Sequence, residues 1–369
     1  MRVIVTGGGT GGHIYPALAI AQGIKNKVPE STILYVGTAN GMESKLAPEA
    51  GFEFAGVSGQ GLPRKLSIET VKVGLKSLKA LWETKQILKK FRPDLVVGTG
   101  GYVSGPVVLT AALFGIPTIL HEQNALPGIT NKILSNFVRR VIVTFPESIA
   151  RFNRKSKLVL AGLPVRREIG QVHRETGAYL FGLSPYKKTI LVTGGSRGAR
   201  SINQAMLHVL QKLCDKPDIQ LIWATGKATY AETIQSLKKL GIDWKRPEWK
   251  VIEYLKEMPE ALACSDICVG RAGAASLAEL MVAGKPSILI PYPFAAENHQ
   301  EYNARAIEQG GAAKVILDKD LTGELLWNKI TELVDNPSKL EEMTNNTKVL
   351  AQPDALDKIV EECLEIAWK

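Results

Sequence analysis

Four glycine-rich stretches punctuate the chain, starting at Gly7, Gly98, Gly194 and Gly270, and each follows a short apolar run and precedes a helix-compatible one. Backbone N–H groups in such a turn, with the positive end of the next helix dipole, make a site for phosphate. A purely structural tight turn explains one such loop, not four. Residues 7–12 also contain a literal G-x-G-x-x-G. A dinucleotide site would need an acidic residue about 20 positions on, at the end of the second strand. The apolar run 32–36 ends instead in Gly37-Thr38-Ala39, without a carboxylate. The phosphate reading stands and the dinucleotide cofactor is dropped.

His13 directly follows the first turn. A helix N-terminus there would lower its pKa and keep the imidazole neutral, as a general base requires. A histidine that caps the helix or orders the loop satisfies the same spacing. Glu279 lies six residues after Gly273, in the second turn of a helix whose start would hold phosphate, within reach of a ribose diol. The alternative is a solvated helix carboxylate. Asp318-Lys319-Asp320 has the form of a short metal-holding motif, but it precedes a helix, and capping is the preferred reading. Cys264 and Cys268 lack two further nearby ligands, and with Cys214 and Cys363 they read as reduced thiols. Neither a metal nor another cofactor is expected.

The elements that must position these groups occur twice. Val5-Thr6-Gly7-Gly8 is identical to Val192-Thr193-Gly194-Gly195, and the run from Asp94 to Gly101 resembles that from Asp266 to Gly273. Gly115-Ile116-Pro117-Thr118-Ile119-Leu120 matches Gly284-Lys285-Pro286-Ser287-Ile288-Leu289 at nearly the same offset. With 369 residues and 45% apolar content the chain can fill two cores. The fold class expected is α/β, with two doubly wound parallel-sheet domains, 1–163 and 164–345, joined near Gly162-Leu163-Pro164-Val165-Arg166. A helical tail, 346–369, has no assigned partner, with the N-terminal domain as the candidate. Ligands of such sheets bind beyond the carboxyl ends of the strands, so the site is expected in a cleft between the two domains.

Charge divides unevenly along the chain. Residues 1–165 hold 20 Lys and Arg against 9 Asp and Glu, whereas the remainder holds 26 against 27. An anionic partner of the first half is implied: nucleic acid, an acidic membrane or a phosphorylated substrate. Between Arg64 and Arg92 nine basic residues face only Glu69 and Glu83, with Ile68, Val71, Leu75, Leu78, Leu81 and Trp82 interleaved at helical spacing. This is the pattern of a basic helix lying on a membrane, with Lys72, Leu75, Lys76, Leu78, Lys79 and Trp82 as candidate contacts. An ordinary core-facing helix fits the same periodicity. The longest apolar stretch, 105–120, is broken by Pro106, Gly115 and Pro117 and falls short of the ~20 residues a spanning helix needs. Residues 1–9 lack the basic and long apolar regions of a signal peptide. A cytosolic protein is expected.

Taken jointly, Gly7-Gly8-Gly9-Thr10-Gly11-Gly12-His13-Ile14-Tyr15-Pro16, Gly98-Thr99-Gly100-Gly101-Tyr102-Val103-Ser104-Gly105-Pro106, His121-Glu122-Gln123-Asn124, Gly194-Gly195-Ser196-Arg197-Gly198-Ala199 and Ala296-Glu297-Asn298-His299-Gln300 resemble the MurG family of bacterial glycosyltransferases, over essentially the whole chain and in order. The resemblance implies a GT-B fold, two Rossmann-like domains facing across a cleft. It implies inverting transfer of N-acetylglucosamine from UDP-N-acetylglucosamine to a lipid-linked muramoyl-pentapeptide diphosphate, lipid I to lipid II in peptidoglycan synthesis, at the cytoplasmic face of the cell membrane. By the same resemblance Thr10, Gly11, Gly12 and Asn124 approach the transferred sugar, and Arg166 and Ser196 face the donor diphosphate. Leu255 offers backbone to uracil, Ala274, Ala275, Ser276, Leu277, Ala278 and Glu279 hold phosphate and ribose, and Gln300 reads sugar hydroxyls. Gly100, Gly101, Tyr102 and Ser104 are the candidates for the acceptor diphosphate, and His13 matches the family's proposed base. The basic half is then the one that meets a lipid diphosphate and an anionic membrane surface, and no nucleic acid is involved. UDP-N-acetylglucosamine 2-epimerases share the architecture and the donor and form the alternative. A membrane-docking subunit of a split transferase is a further one, although donor-side and acceptor-side motifs lie here on one chain.

Overall fold

The computed structural model of the chain describes residues 1–58, 68–195 and 198–368, and for 68–78 the backbone alone. It divides into two compact units, Met1–Pro164 with Pro353–Lys369, and Val165–Gln352. Unit 1 runs β1 (Arg2–Thr6), α1 (Gly11–Lys27), β2 (Thr32–Thr38), α2 (Glu43–Glu49), β3 (Glu53–Val57), α3 (Ile68–Phe91), β4 (Leu95–Gly98), α4 (Ser104–Leu113), β5 (Thr118–Glu122), α5 (Ile129–Leu134), β6 (Arg140–Val143), α6 (Pro146–Ile149) and β7 (Leu158–Leu160). All strands pair in parallel, in the order β3-β2-β1-β4-β5-β6-β7. Val3, Ile4 and Val5 are all fully buried, as expected of a strand covered by helices on both faces. Alternation then splits them: Val3 and Val5 join one core with Ile24 and Ile119, while Ile4 joins the other with Val96, Val108 and Leu120.

Unit 2 continues with α7 (Arg174–Leu180), β8 (Lys188–Thr193), α8 (Arg200–Leu213), β9 (Ile219–Ala224), α9 (Tyr230–Lys239), β10 (Trp249–Ile252), α10 (Met258–Cys264), β11 (Ile267–Gly270), α11 (Ala274–Val282), β12 (Ser287–Leu289), α12 (His299–Gln309), β13 (Ala313–Val315), α13 (Gly323–Val334) and α14 (Pro337–Leu350). Its sheet, also parallel, has the order β10-β9-β8-β11-β12-β13. Each sheet therefore reverses its strand order once, between β1 and β4 and between β8 and β11. Thr6 stands beside Gly98 and Thr193 beside Gly270 at those junctions. The four glycine turns issue from these strand ends, where doubly wound sheets place ligands. Both units are Rossmann-like, as expected of the GT-B architecture.

Two boundaries differ from those the sequence suggests. The region expected to end at 345 extends, because α14 runs to Leu350, begun by Pro337 at its first turn and by the Asn336 side chain accepting from Lys339 N. The last helix, α15 (Ala355–Trp368), then returns to unit 1, where Ile359, Val360, Cys363 and Leu364 join the core of β1 and α1. A Cβ on Gly23 would lie 2.8 Å from Val360, so only glycine lets α1 approach α15 this closely. Arg140 pairs with Glu362 at 3.0 Å. With α15 included, unit 1 holds 22 basic and 14 acidic residues, against 24 and 22 in unit 2. The charge asymmetry survives but is smaller than chain order indicates. Among the described residues no helix is long and apolar enough to cross a membrane.

Candidate active site

In unit 1 the turns after β1 and β4 lock together. Thr99 N donates to the Thr6 carbonyl at 2.9 Å, and Gly8 N to the Gly100 carbonyl at 3.4 Å. Gly101 has φ +80°, and a Cβ there would stand 2.1 Å from the Gly8 carbonyl oxygen, so the approach excludes any side chain. Tyr35 Oη, beneath them, donates to the Gly7 carbonyl at 2.6 Å. Helix α1 begins at Gly11, five residues before the apolar pattern at Pro16. Packing of Ile14, Ala17 and Ile20 overrides the poor helix propensity of Gly11 and Gly12. Thr10 is the exposed N-cap, its side chain making no cap bond, and the first-turn N–H groups of Gly11 and Gly12 are left for a ligand.

His13 thus sits within the first turn. Its Nδ1 lies 3.0 Å from the Thr99 carbonyl and 3.1 Å from Gln123 Oε1, and Thr99 Oγ1 donates to the His13 carbonyl at 2.7 Å. Its pKa falls below the ordinary imidazole value, as expected, but burial is the largest cause, opposed by the bonds to Gln123 and Thr99. Beyond Gln123 lies His121, fully buried, with Nδ1 2.9 Å from Gln123 Nε2 and Nε2 2.8 Å from the Gly162 carbonyl. Burial drives its pKa down to about 4. Next to it the Glu122 carboxylate accepts from Asn124 N, Asn124 Nδ2, Gly128 N and Asn131 Nδ2 at 2.8 to 3.2 Å, while burial raises its pKa. Glu122 therefore sets the loop that carries Asn124. Tyr102 is half-exposed and lies over Gly9. Ser104, expected among the phosphate ligands, is fully buried, its hydroxyl without a partner among the described residues, which leaves its N–H at the start of α4 as the group it can present.

In unit 2 Arg166 donates from Nε and Nη2 to Glu279 Oε1 at 3.0 and 2.9 Å. Burial raises the Glu279 pKa and Arg166 opposes the rise. Helix α11 has no side-chain cap at Gly273, so the N–H groups of Ala274, Ala275 and Ser276 are open. Leu277 is buried and its N–H donates to the Gly273 carbonyl, which makes it a packing residue, and Ala278 is half-buried beside it. Gln300 Oε1 accepts from Ala272 N and Tyr292 N at 3.2 and 3.0 Å, tying α12 to the turn after β11. Leu255 is buried between β10 and α10, and Ser196 lies outside the described residues. Asp318, read as a cap, instead accepts from Arg271 Nη1 at 2.5 Å and Ser201 Oγ at 2.6 Å.

Residues 3–143 match the glycosyltransferase family 28 N-terminal domain and residues 189–359 the family 28 C-terminal domain. A protein of Desulfitobacterium hafniense (strain DSM 10664 / DCB-2), named UDP-N-acetylglucosamine--N-acetylmuramyl-(pentapeptide) pyrophosphoryl-undecaprenol N-acetylglucosamine transferase, is 72% identical over 369 residues, all of both chains. The chain belongs to glycosyltransferase family 28. A crystal structure of Acinetobacter baumannii MurG, 28% identical, superposes on this family 28 chain with a TM-score of 0.79 over 99% of each. A UDP-GlcNAc 2-epimerase from Neisseria meningitidis, 15% identical over 99% of this chain and all of its own, gives 0.68 and shares the fold alone.

Within this family 28 chain, the resemblance gives a role to Asn124 alone among His121-Glu122-Gln123-Asn124, whereas the other three hold His13 and the Asn124 loop in place. The available signal was alternation: residues two apart at a strand end share a side, which aligns His121 with Gln123. The expected membrane segment is described only in part. The side chains of Lys72, Leu75, Lys76 and Leu78 lie outside the described residues. Further along α3, Ala80, Thr84 and Leu88 are buried whereas Trp82 is 62% exposed and Lys79, also exposed, pairs with Glu83 at 3.6 Å.

Proposed function

We propose that this chain transfers N-acetylglucosamine from UDP-N-acetylglucosamine to the muramoyl 4-hydroxyl of an undecaprenyl-diphospho-muramoyl-pentapeptide, with inversion at the anomeric carbon. The observation that carries the reading is the 72% identity, end to end, to a relative of that name. The acceptor oxygen forms a bond to the anomeric carbon as the bond from that carbon to the UDP oxygen breaks. His13 takes the hydroxyl proton and the diphosphate takes the electron pair. New negative charge on UDP is met by the Arg166 guanidinium, by Ser196, and by the open N–H groups of Ala274, Ala275 and Ser276 at the α11 dipole. Both Arg166 bonds go to one oxygen of Glu279, so Oε2 serves the ribose hydroxyls. Leu255 gives backbone to uracil, and Gln300 and Asn124 read the sugar with Thr10, Gly11 and Gly12. In unit 1 the turn of Gly100, Gly101 and Tyr102, with the Ser104 N–H, takes the acceptor diphosphate.

The same reading places the protein at the cytoplasmic face of an anionic membrane as a peripheral enzyme. Its support is the exposure of Trp82 beside Lys79, Lys85 and Lys89 and the positive excess of unit 1. Incubation with labelled UDP-N-acetylglucosamine and a lipid-linked muramoyl-pentapeptide analogue tests the activity. UDP and a disaccharide lipid should appear in equal amounts. Release of free N-acetylmannosamine without acceptor would move the chain to the epimerase class.

A further inference from the structure

The hydrogen bonds behind His13 form a chain whose polarity can be worked out atom by atom. Gln123 Nε2 lies 2.8 Å from the Thr99 carbonyl and 3.0 Å from the His121 carbonyl. Two carbonyl oxygens accept only, so the amide edge facing them must be the NH2. Gln123 Oε1 then faces His13 Nδ1 at 3.1 Å, and since Thr99 O also lies 3.0 Å from that nitrogen, His13 Nδ1 must carry the hydrogen. At the other end His121 Nε2 meets the Gly162 carbonyl at 2.8 Å and must donate, leaving its Nδ1 to accept from Gln123 Nε2 at 2.9 Å, the two amide hydrogens being shared among this nitrogen and the two carbonyls. Every link agrees with its neighbours: Gly162 O, His121, Gln123 and His13 in order, with Thr99 O bracing both side chains. Among the described residues His13 Nε2 has no partner. The two imidazoles are held as opposite tautomers.

We propose that Gln123, itself oriented by His121, is a positioning residue that acts with the Thr99 carbonyl to fix His13 as the Nδ1–H tautomer and so leaves the Nε2 lone pair to receive the acceptor proton. This rests on the reading of His13 as the base. The wrong tautomer would present an N–H to the hydroxyl and could not accept from it.

The test starts with wild-type protein labelled with nitrogen-15 in its histidines. Long-range proton–nitrogen spectra of the ligand-free chain should show His13 protonated on Nδ1 and bare on Nε2, with His121 the reverse. Gln123→Leu, which leaves the Thr99 carbonyl as the one acceptor at Nδ1 among the described residues, should then let the His13 tautomers mix in part and lower kcat by ~10- to 100-fold, with KM for UDP-N-acetylglucosamine changed less than about twofold. Gln123→Glu, which keeps an oxygen opposite Nδ1 and a carboxyl proton for Thr99 O or His121 Nδ1, should restore the tautomer and most of kcat. A wild-type His13 protonated on Nε2 overturns the proposal, and it needs no variant to fold. So does a Gln123→Leu protein whose tautomer is unchanged, whatever its kcat. Mixed tautomers with undiminished kcat, or normal turnover in His13→Ala, would instead remove His13 as the base while leaving the hydrogen-bond chain intact.

Discussion

In unit 1 the Asp94 carboxylate accepts from Arg2 N at 2.7 Å while Asp94 N donates to the Arg2 carbonyl at 2.8 Å; in unit 2 Asp266 makes both bonds to Thr189, each at 2.8 Å. Val96 N reaches the Pro117 carbonyl at 2.9 Å, and Cys268 N the Pro286 carbonyl at 3.0 Å. The frame is thus repeated bond for bond, yet the groups mounted on it differ. Where unit 1 has Thr99, His121 and Gln123, the repeat places Arg271, Ile290 and Tyr292. The first set is a neutral, buried chain of hydrogen bonds ending on an imidazole. In the second, a guanidinium reaches the Ile290 carbonyl at 3.1 Å, stands over the Tyr292 ring at 5.5 Å and pairs with Asp318. Burial keeps the imidazoles of the first set neutral, whereas in the second the Arg271 charge is met by Asp318 and the turn is tied to its neighbours by an ion pair. One scaffold therefore carries a neutral imidazole network in one unit and an ion pair in the other, which the proposed function sets beside proton transfer and donor binding respectively.

The largest expected effect breaks the unit 1 side of this contrast. His13→Ala should lower kcat by ~10² to 10⁴ while leaving donor affinity within about twofold by calorimetry. An equal loss of donor affinity would make His13 a support for its loop. The next concerns pH. His121, with its pKa at about 4 in the folded chain against 6.5 as the ordinary value, is held neutral. Its contribution is complete above pH 6.5 and is lost as pH falls toward 4, about 3 kcal/mol in all. Glu122, whose pKa burial raises, acts in the opposite sense, losing stabilisation as pH rises. Urea unfolding of wild type and His121→Gln at pH 7 and pH 4 isolates the histidine, because the stability difference between the two proteins should shrink by that amount. A difference independent of pH would mean that the imidazole is not held neutral.

On the unit 2 side, Glu279→Ala should weaken UDP-N-acetylglucosamine binding by roughly 1.5 to 3 kcal/mol, the loss of a charge-assisted hydrogen bond to ribose, with turnover at saturating donor little changed. Titration calorimetry giving an unchanged Kd would leave Glu279 as a partner of Arg166 alone. Smallest is the surface term. Trp82→Ala should cost about 1 kcal/mol of binding to phosphatidylglycerol vesicles and should do so equally at high salt. The triple change of Lys72, Lys76 and Lys79 to Gln should act only at low salt. Co-sedimentation in which Trp82→Ala matches wild type at every salt concentration would make α3 an ordinary core-facing helix with a solvated basic side.

Much of this was legible along the chain, because its causes are local. Apolar runs of β length between glycine turns dictate parallel strands, and the repeated tetrads dictate a repeated frame. Glu279 could be placed on a helix near its open start from spacing alone. The Asp318 partnership was not legible, since Arg271 and Ser201 reach it from other elements. Nor was the return of α15, whose apolar face could pack on either unit until Gly23 is seen to leave room for Val360 and Leu356.

By itself, then, the sequence determined where the backbone turns, where it offers open N–H groups, and which half carries the positive charge. All of these depend on the residue types at a few consecutive positions. Only the tertiary structure decided the state of His13. Its neutrality comes from burial, a property of everything packed around it, and its tautomer from Thr99 and Gln123, far along the chain and brought close because β1, β4 and β5 lie side by side.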